Sequence, residues 1–203
     1  MGIVVNDSQN LFMLQTRSNS YAFGIDNQGL VRHLYWGSRI NAMEDFEMPE
    51  LAEVSTNDPV YEITKEEFPV YGGLRYKEHC LKVTFADGTR DVAYEYVNYE
   101  IQKNEQCEEL VIILKDKHYA LVMELHYKIY EAYDLMERFV VLKNESTEVM
   151  QIEKLHSGQF HVPYEGLNFR NVHGHWGAEQ QKFVQKVDYG KIIFENRRGI
   201  SSH

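Results

Sequence analysis

The chain has 203 residues, 43% of them hydrophobic, and carries 31 acidic against 21 basic side chains for a net charge of -10. It can bury one sizeable core and nothing in the composition asks for a second, so a single domain over residues 1–203 is the expectation. The acidic excess repels phosphate backbones and anionic lipid, which sets aside nucleic acid and membrane as partners.

No apolar run reaches the roughly 18 residues of a membrane span, and "MGIVVNDSQN" has neither the basic start nor the apolar stretch of a signal peptide, so a cytoplasmic location is expected. Asn6 stands where a myristoylation signal needs Ser or Thr. Cys80 and Cys107 have no CxxC spacing and read as reduced, structural thiols. Aromatic residues make up 13% of the chain, with 14 tyrosines, a composition shared by carbohydrate-handling surfaces and large β-sandwiches.

Taken in order, the first turn signal is "DNQG" at Asp26–Gly29. An irregular stretch from about Asn41 to Val70 follows, in which Pro49 interrupts the helix-like "EDFEMPELAEV". It is the one long loop, and long loops in compact domains often carry function. "LRYKEHCLKVTF" then alternates apolar and polar residues up to "ADG" at Ala86–Gly88. After "KNEQ" at Lys103–Gln106 and "KDKH" at Lys115–His118 comes the clearest strand, "ALVMELHYKIY". Its Leu121, Met123, Leu125, Tyr127 and Ile129 face one way, and Glu124, His126 and Lys128 the other. "LMERFVVLKN" repeats the period with Met136, Arg138, Val140 and Leu142, and "KNES" at Lys143–Ser146 separates it from "EVMQIEKLHSGQFHV". Roughly twelve to seventeen short strands joined by turns, almost without helix, predict two large antiparallel sheets packed face to face.

Chemistry is harder to place. Glycoside hydrolysis needs two carboxyl groups facing each other across a sugar, but no pair among the abundant acids stands in an apolar, pocket-like context. His173 and His175 in "HGH" have the alternate spacing of two ligands on one strand face, yet no third ligand follows, so a structural or surface role is expected and no metal. No nucleophile elbow and no phosphate-cradling glycine loop occurs. Trp36 and Trp176 could each stack on a sugar ring; Leu34 and Ile40 favour burial for Trp36, whereas Gly174, Gly177 and Ala178 leave the Trp176 indole prominent.

The ordered series "YAFGIDNQGLVRHLYWGSRI", "EEFPVYGGLRYKEHCLKVTFADGTR", "LVIILKDKHYALVMELHYKIYEAYDLMERFVVLKNES", "GHWGAEQQ" and "NRRGISSH" resembles the N-terminal region of the bacterial α-galactosidases of glycoside hydrolase family 36 over nearly the whole chain. The resemblance implies an antiparallel β-supersandwich of the galactose mutarotase type. It further implies a following (β/α)8 barrel, the chain's own partner, that supplies both catalytic aspartates for retaining hydrolysis of terminal α-linked galactose. This chain stops at His203 and so is expected to lack the catalytic pair and to turn nothing over alone. The surface that packs on the barrel would then be exposed, as an apolar patch near the C-terminus. No cofactor is implied.

By the same resemblance Trp176 matches a tryptophan that overhangs the barrel mouth against bound galactose, and Glu179 matches the acid that follows it. The departure is Gly177-Ala178 in place of Ala-Arg, which leaves no arginine for a neighbouring salt bridge. Relatives assemble as tetramers in which a loop carries an acid and an aromatic residue into a neighbour's active site; "MEDFEM", with Asp45 and Phe46 at its tip, is the counterpart, unless Phe46 tucks under its own loop. Two alternatives stand beside this: a mutarotase-like enzyme drawing on His126, His156 and Glu179, and a free-standing carbohydrate-binding module using Trp36 or Trp176.

Overall fold

Each turn that the sequence marks with Asp or Asn closes on such a side chain. Asp26 Oδ1 accepts the amides of Gln28 and Leu30 at 2.9 Å each, and Asp87 Oδ1 accepts that of Thr89 at 2.9 Å. Asn104 Oδ1 accepts from Gln106 and Cys107 at 2.8 and 2.9 Å, and Asp116 Oδ1 from His118 and Tyr119 at 2.9 and 2.8 Å. Asn144 Oδ1 accepts the Ser146 amide at 3.0 Å. A short side chain that satisfies the donors of a bend lets the chain reverse without orphaning them.

The computed structural model describes residues 2–43, 46–48, 65–73, 77–162, 166–188 and 190–194. They fall into two compact units, Met1–His161 and Val162–His203. The first holds β1 (Gly2–Asn6), β2 (Leu11–Gln15), β3 (Asn19–Ile25), β4 (Val31–Ser38), β5 (Leu81–Thr84), β6 (Tyr94–Lys103), β7 (Glu108–Asp116), β8 (Leu121–Tyr130), β9 (Leu135–Asn144) and β10 (Gln151–Leu155). The second holds β11 (Asn168–His175) and β12 (Ala178–Lys186). Every strand pairing is antiparallel, and among the described residues the only helical segment is a single 3-10 turn at Glu131–Tyr133. The all-β, antiparallel expectation therefore holds.

In the first unit, β1-β2-β3-β4 and β6-β7-β8-β9 form two four-stranded meanders, with β5 and β10 paired beside them. Phe23 of β3 stacks on Tyr127 of β8 with ring centroids 4.8 Å apart, and Phe12 of β2 meets Tyr99 of β6 edge-on at 5.2 Å, so the meanders share one apolar core. β8 contributes the five residues its alternation predicts, Leu121, Met123, Leu125, Tyr127 and Ile129. β2 shows no alternation because it is covered twice: Leu11 and Met13 join Ala22 and Met43 in a second cluster on its other face. Within the described part of that alternating stretch, residues 77–85, strand covers Leu81–Thr84; just before it the Cys80 amide donates to Pro69 O and its carbonyl accepts from His156 N, both outside the ladder. Cys80 is buried and its thiol is pushed up to about 11 by that burial; both cysteines are free.

The second unit is a hairpin open to solvent on most of both strands. Phe169, Val172, Phe183, Val184, Ile193 and Phe194 are exposed there, with Phe169 and Phe183 on one face of the hairpin and Val172 and Val184 on the other. Two strands alone are marginal in water.

Candidate functional site

Two places in the chain are candidates for functional chemistry, one in each unit. The first is the tip of the β11–β12 hairpin. The register slips between His173, opposite Gln181, and His175, opposite Ala178. Gly174 sits in that slip, where a Cβ would lie 2.6 Å from the Ala178 carbonyl oxygen, so only glycine lets the strands close. Gly177 takes φ 81, a left-handed step that glycine makes at no steric cost, and its amide donates to Glu179 Oε1 at 2.8 Å. That bond holds the Glu179 carboxyl below the usual range. Between the two glycines Trp176 stands 93% exposed, a large apolar ring on a turn fixed by its neighbours. Glu179 thus has a place in this hairpin as the group that braces the tryptophan turn.

The slip at Gly174 also interrupts the simple alternation that would align His173 with His175. His173 meets Phe183 edge-on at 6.5 Å, and among the described residues no three His, Cys, Asp or Glu side chains gather as a metal site.

Phe46 is half-buried in the second apolar cluster, its ring 6.0 Å from that of Tyr35 and its amide donating to Met43 O at 3.1 Å. Its neighbour Asp45 lies outside the described residues. Trp36 corrects the burial favoured by Leu34 and Ile40: it is 43% exposed. The cause is a bulge in β4, where Ala22 faces Tyr35 but Phe23 faces His33, which re-aims the end of the strand. Trp36 packs edge-on against Tyr21 at 6.2 Å and against Phe160 at 5.6 Å.

The second place is a buried polar cluster that sequence reasoning missed. Glu67 has no exposed side-chain surface, yet its carboxylate takes Tyr21 OH at 2.7 and 2.8 Å, Tyr127 OH at 3.0 Å, His33 Nδ1 at 2.8 Å and Arg138 Nη1 at 2.9 Å. Burial pushes its pKa up, but the Arg138 charge and the His33 and Tyr21 hydrogen bonds outweigh that and hold it low. Burial, with the adjacent Glu67 charge, raises Tyr21 and Tyr127, so both phenols stay protonated as donors. Arg138 Nη2 donates to Glu67 O at 2.6 Å and Nη1 to Gln159 O at 2.9 Å, while His161 Nε2 donates to Glu66 O at 2.9 Å.

A histidine, a glutamate and an arginine side by side are the components of acid–base sugar chemistry, but here every carboxylate oxygen is saturated and sealed from solvent. A group with no free lone pair and no access cannot take a proton from a substrate. The cluster instead ties β3, β4, β8 and β9 to residues 66–67 and 159. The mutarotase candidates are elsewhere: His126 bonds Glu109 at 2.8 Å and stacks on Phe139, His156 is exposed after β10, and Glu179 belongs to the second unit.

The first unit is thus an antiparallel β-sandwich with a sealed polar core, and the second a tryptophan-tipped hairpin. The family is given by its sequence: the chain matches the glycosyl hydrolase family 36 N-terminal domain over residues 29–203 and belongs to that family. The match includes the β11–β12 hairpin. A probable α-galactosidase G of Aspergillus terreus is 26% identical over 207 residues, covering 95% of this chain and 28% of that protein. The GH36 α-galactosidase AgaB of Geobacillus stearothermophilus shares the fold over all of this chain and 31% of its own, with a TM-score of 0.86 at 22% identity. A variant of the AgaA α-galactosidase from the same organism, in complex with raffinose, covers 95% of this chain and 30% of its own, with a TM-score of 0.81 at 23% identity. The chain thus spans between a quarter and a third of the length of these relatives.

Proposed function

We propose that this chain is the non-catalytic N-terminal domain of an α-galactosidase, and that it lends Trp176 to the rim of a sugar site completed by a downstream catalytic barrel. The reading rests on one observation, the almost fully exposed Trp176 held between Gly174 and Gly177 in a hairpin inside the family match. An indole face packs on the apolar C–H face of a pyranose, and the two flanking glycines set the turn that carries it. The reaction is retaining hydrolysis of terminal α-linked galactose, in which two carboxyl groups about 5–5.5 Å apart act as nucleophile and acid/base. Both come from the barrel. Raffinose, bound by one of the structural relatives, is the kind of α-galactoside we assign as substrate.

The exposed apolar residues of the hairpin support a covering partner of this sort. To the same proposal belongs homo-oligomeric assembly in which Asp45 of one subunit faces the sugar bound by its neighbour. Phe46 serves there as the anchor of its segment, since its ring is already packed against Tyr35.

Release of nitrophenol from a nitrophenyl α-galactoside tests this, with the present chain measured beside the same chain joined to a family 36 catalytic barrel. Turnover confined to the extended protein, together with a Trp176→Ala variant of it that raises KM more than it lowers kcat, supports the proposal. Turnover by the present chain alone would overturn it.

A further inference from the structure

At one end of the first unit, the β5–β6, β7–β8 and β9–β10 connections bring Phe85, Tyr119 and Met150 around a cavity of about 490 Å³. That falls within the roughly 300–1,000 Å³ of small-molecule sites. Its floor is fixed: the Tyr119 ring lies flat on Phe85, with centroids 3.7 Å apart and planes 8° apart, and its hydroxyl donates to Asp87 Oδ2 at 2.7 Å. Two polar groups on the rim have no partner among the described residues, the His118 imidazole and the Glu148 carboxylate. Ser146 does not occupy that carboxylate, because its hydroxyl is turned onto Asn144 Oδ1 at 2.7 Å and the Glu148 carbonyl at 3.3 Å.

We propose that this cavity is a carbohydrate-binding site of the first unit, taking a neutral pyranose. A flat aromatic floor beside one free acceptor and one ring nitrogen matches a ligand with an apolar C–H face and hydroxyls around its edge. The net charge of -10 and the rim carboxylate disfavour an anionic ligand. Because Phe85 and Asp87 already hold Tyr119 in place, a sugar need not order the aromatic floor on arrival, which limits the entropy cost to the two rim side chains. The site shares no residue with the Trp176 hairpin and stands independently of the function proposed for it.

The test is an amide NMR titration of the whole 203-residue chain with methyl α-galactoside and methyl α-glucoside. The expected result is saturable movement of the His118, Tyr119, Ser146 and Glu148 amides with a Kd of about 1–10 mM for at least one glycoside. Tyr119→Ala weakens binding about three- to tenfold. Glu148→Gln, whose side chain makes no contact the fold depends on, weakens it about threefold or more. The proposal is overturned if those amides do not move at about 50 mM of either glycoside. It is also overturned if Glu148→Gln and Tyr119→Ala both titrate like the parent chain. Movement confined to His175–Ala178 would overturn it too, while leaving the role of Trp176 in place.

Discussion

Replacing Arg138 by Met keeps the length of the stem and deletes the guanidinium charge that touches Glu67. The variant leaves a wholly buried carboxylate on two phenols and an imidazole, and it strands the Glu67 and Gln159 carbonyls that Arg138 now satisfies at 2.6 and 2.9 Å. Breaking a buried pair on one side costs about 3–5 kcal/mol, a large part of a typical domain's stability. Urea unfolding followed by circular dichroism reads the loss as a lower midpoint. In the double variant with Glu67→Gln no charge is stranded, so it recovers at least about 1 kcal/mol relative to Arg138→Met alone. A loss under about 1 kcal/mol for Arg138→Met, or a double variant that costs the sum of the singles, would refute the idea that an uncompensated charge sets the penalty.

Acid sensitivity follows from the same carboxylate. Its folded-state pKa lies below the ordinary glutamate value of 4.5, so its contribution is complete above that value and drains away as pH falls through the lower folded one; Glu67→Gln flattens the unfolding midpoint in that window. Burial holds His161 below its ordinary 6.5, so the neutral ring favours the folded chain; stability declines from pH 6.5 down toward the folded value, and His161→Gln removes that slope in the same assay. Gly158→Ala sets a Cβ 2.8 Å from the buried Arg138 Nε and lowers stability by about 1–3 kcal/mol in urea titrations. Asp116→Ala orphans the amides of Ala93, His118 and Tyr119, all now bonded at 2.8–2.9 Å, and costs about 2–4 kcal/mol with faster hydrogen exchange at those amides.

The parts legible in the sequence are those with local causes. Asp26, Asp116 and Asn144 signal their turns because the same side chain closes each one, and β8 signals its core face because one side is packed and the other partly wet. β2 hides its role because a second cluster buries the outer face as well, erasing the alternation. Trp36 misleads because a bulge one residue long re-aims the strand beyond it. The prominence of Trp176 is legible from its flanking glycines, which act within the turn itself. The Glu67 cluster has no local signature, since its members lie 34 to 71 positions away along the chain; the one available hint is an "EE" pair directly before apolar "FPV".

That separation has a consequence during synthesis. At roughly 5–20 residues per second, a ribosome takes on the order of several seconds to proceed from Glu67 to Arg138. Throughout that interval the nascent chain holds a carboxylate destined for full burial without the cation that makes burial tolerable. Glu67 meets its cation only once β9 has been made, and burying its charged carboxylate before that point carries the desolvation cost of an unpaired charge.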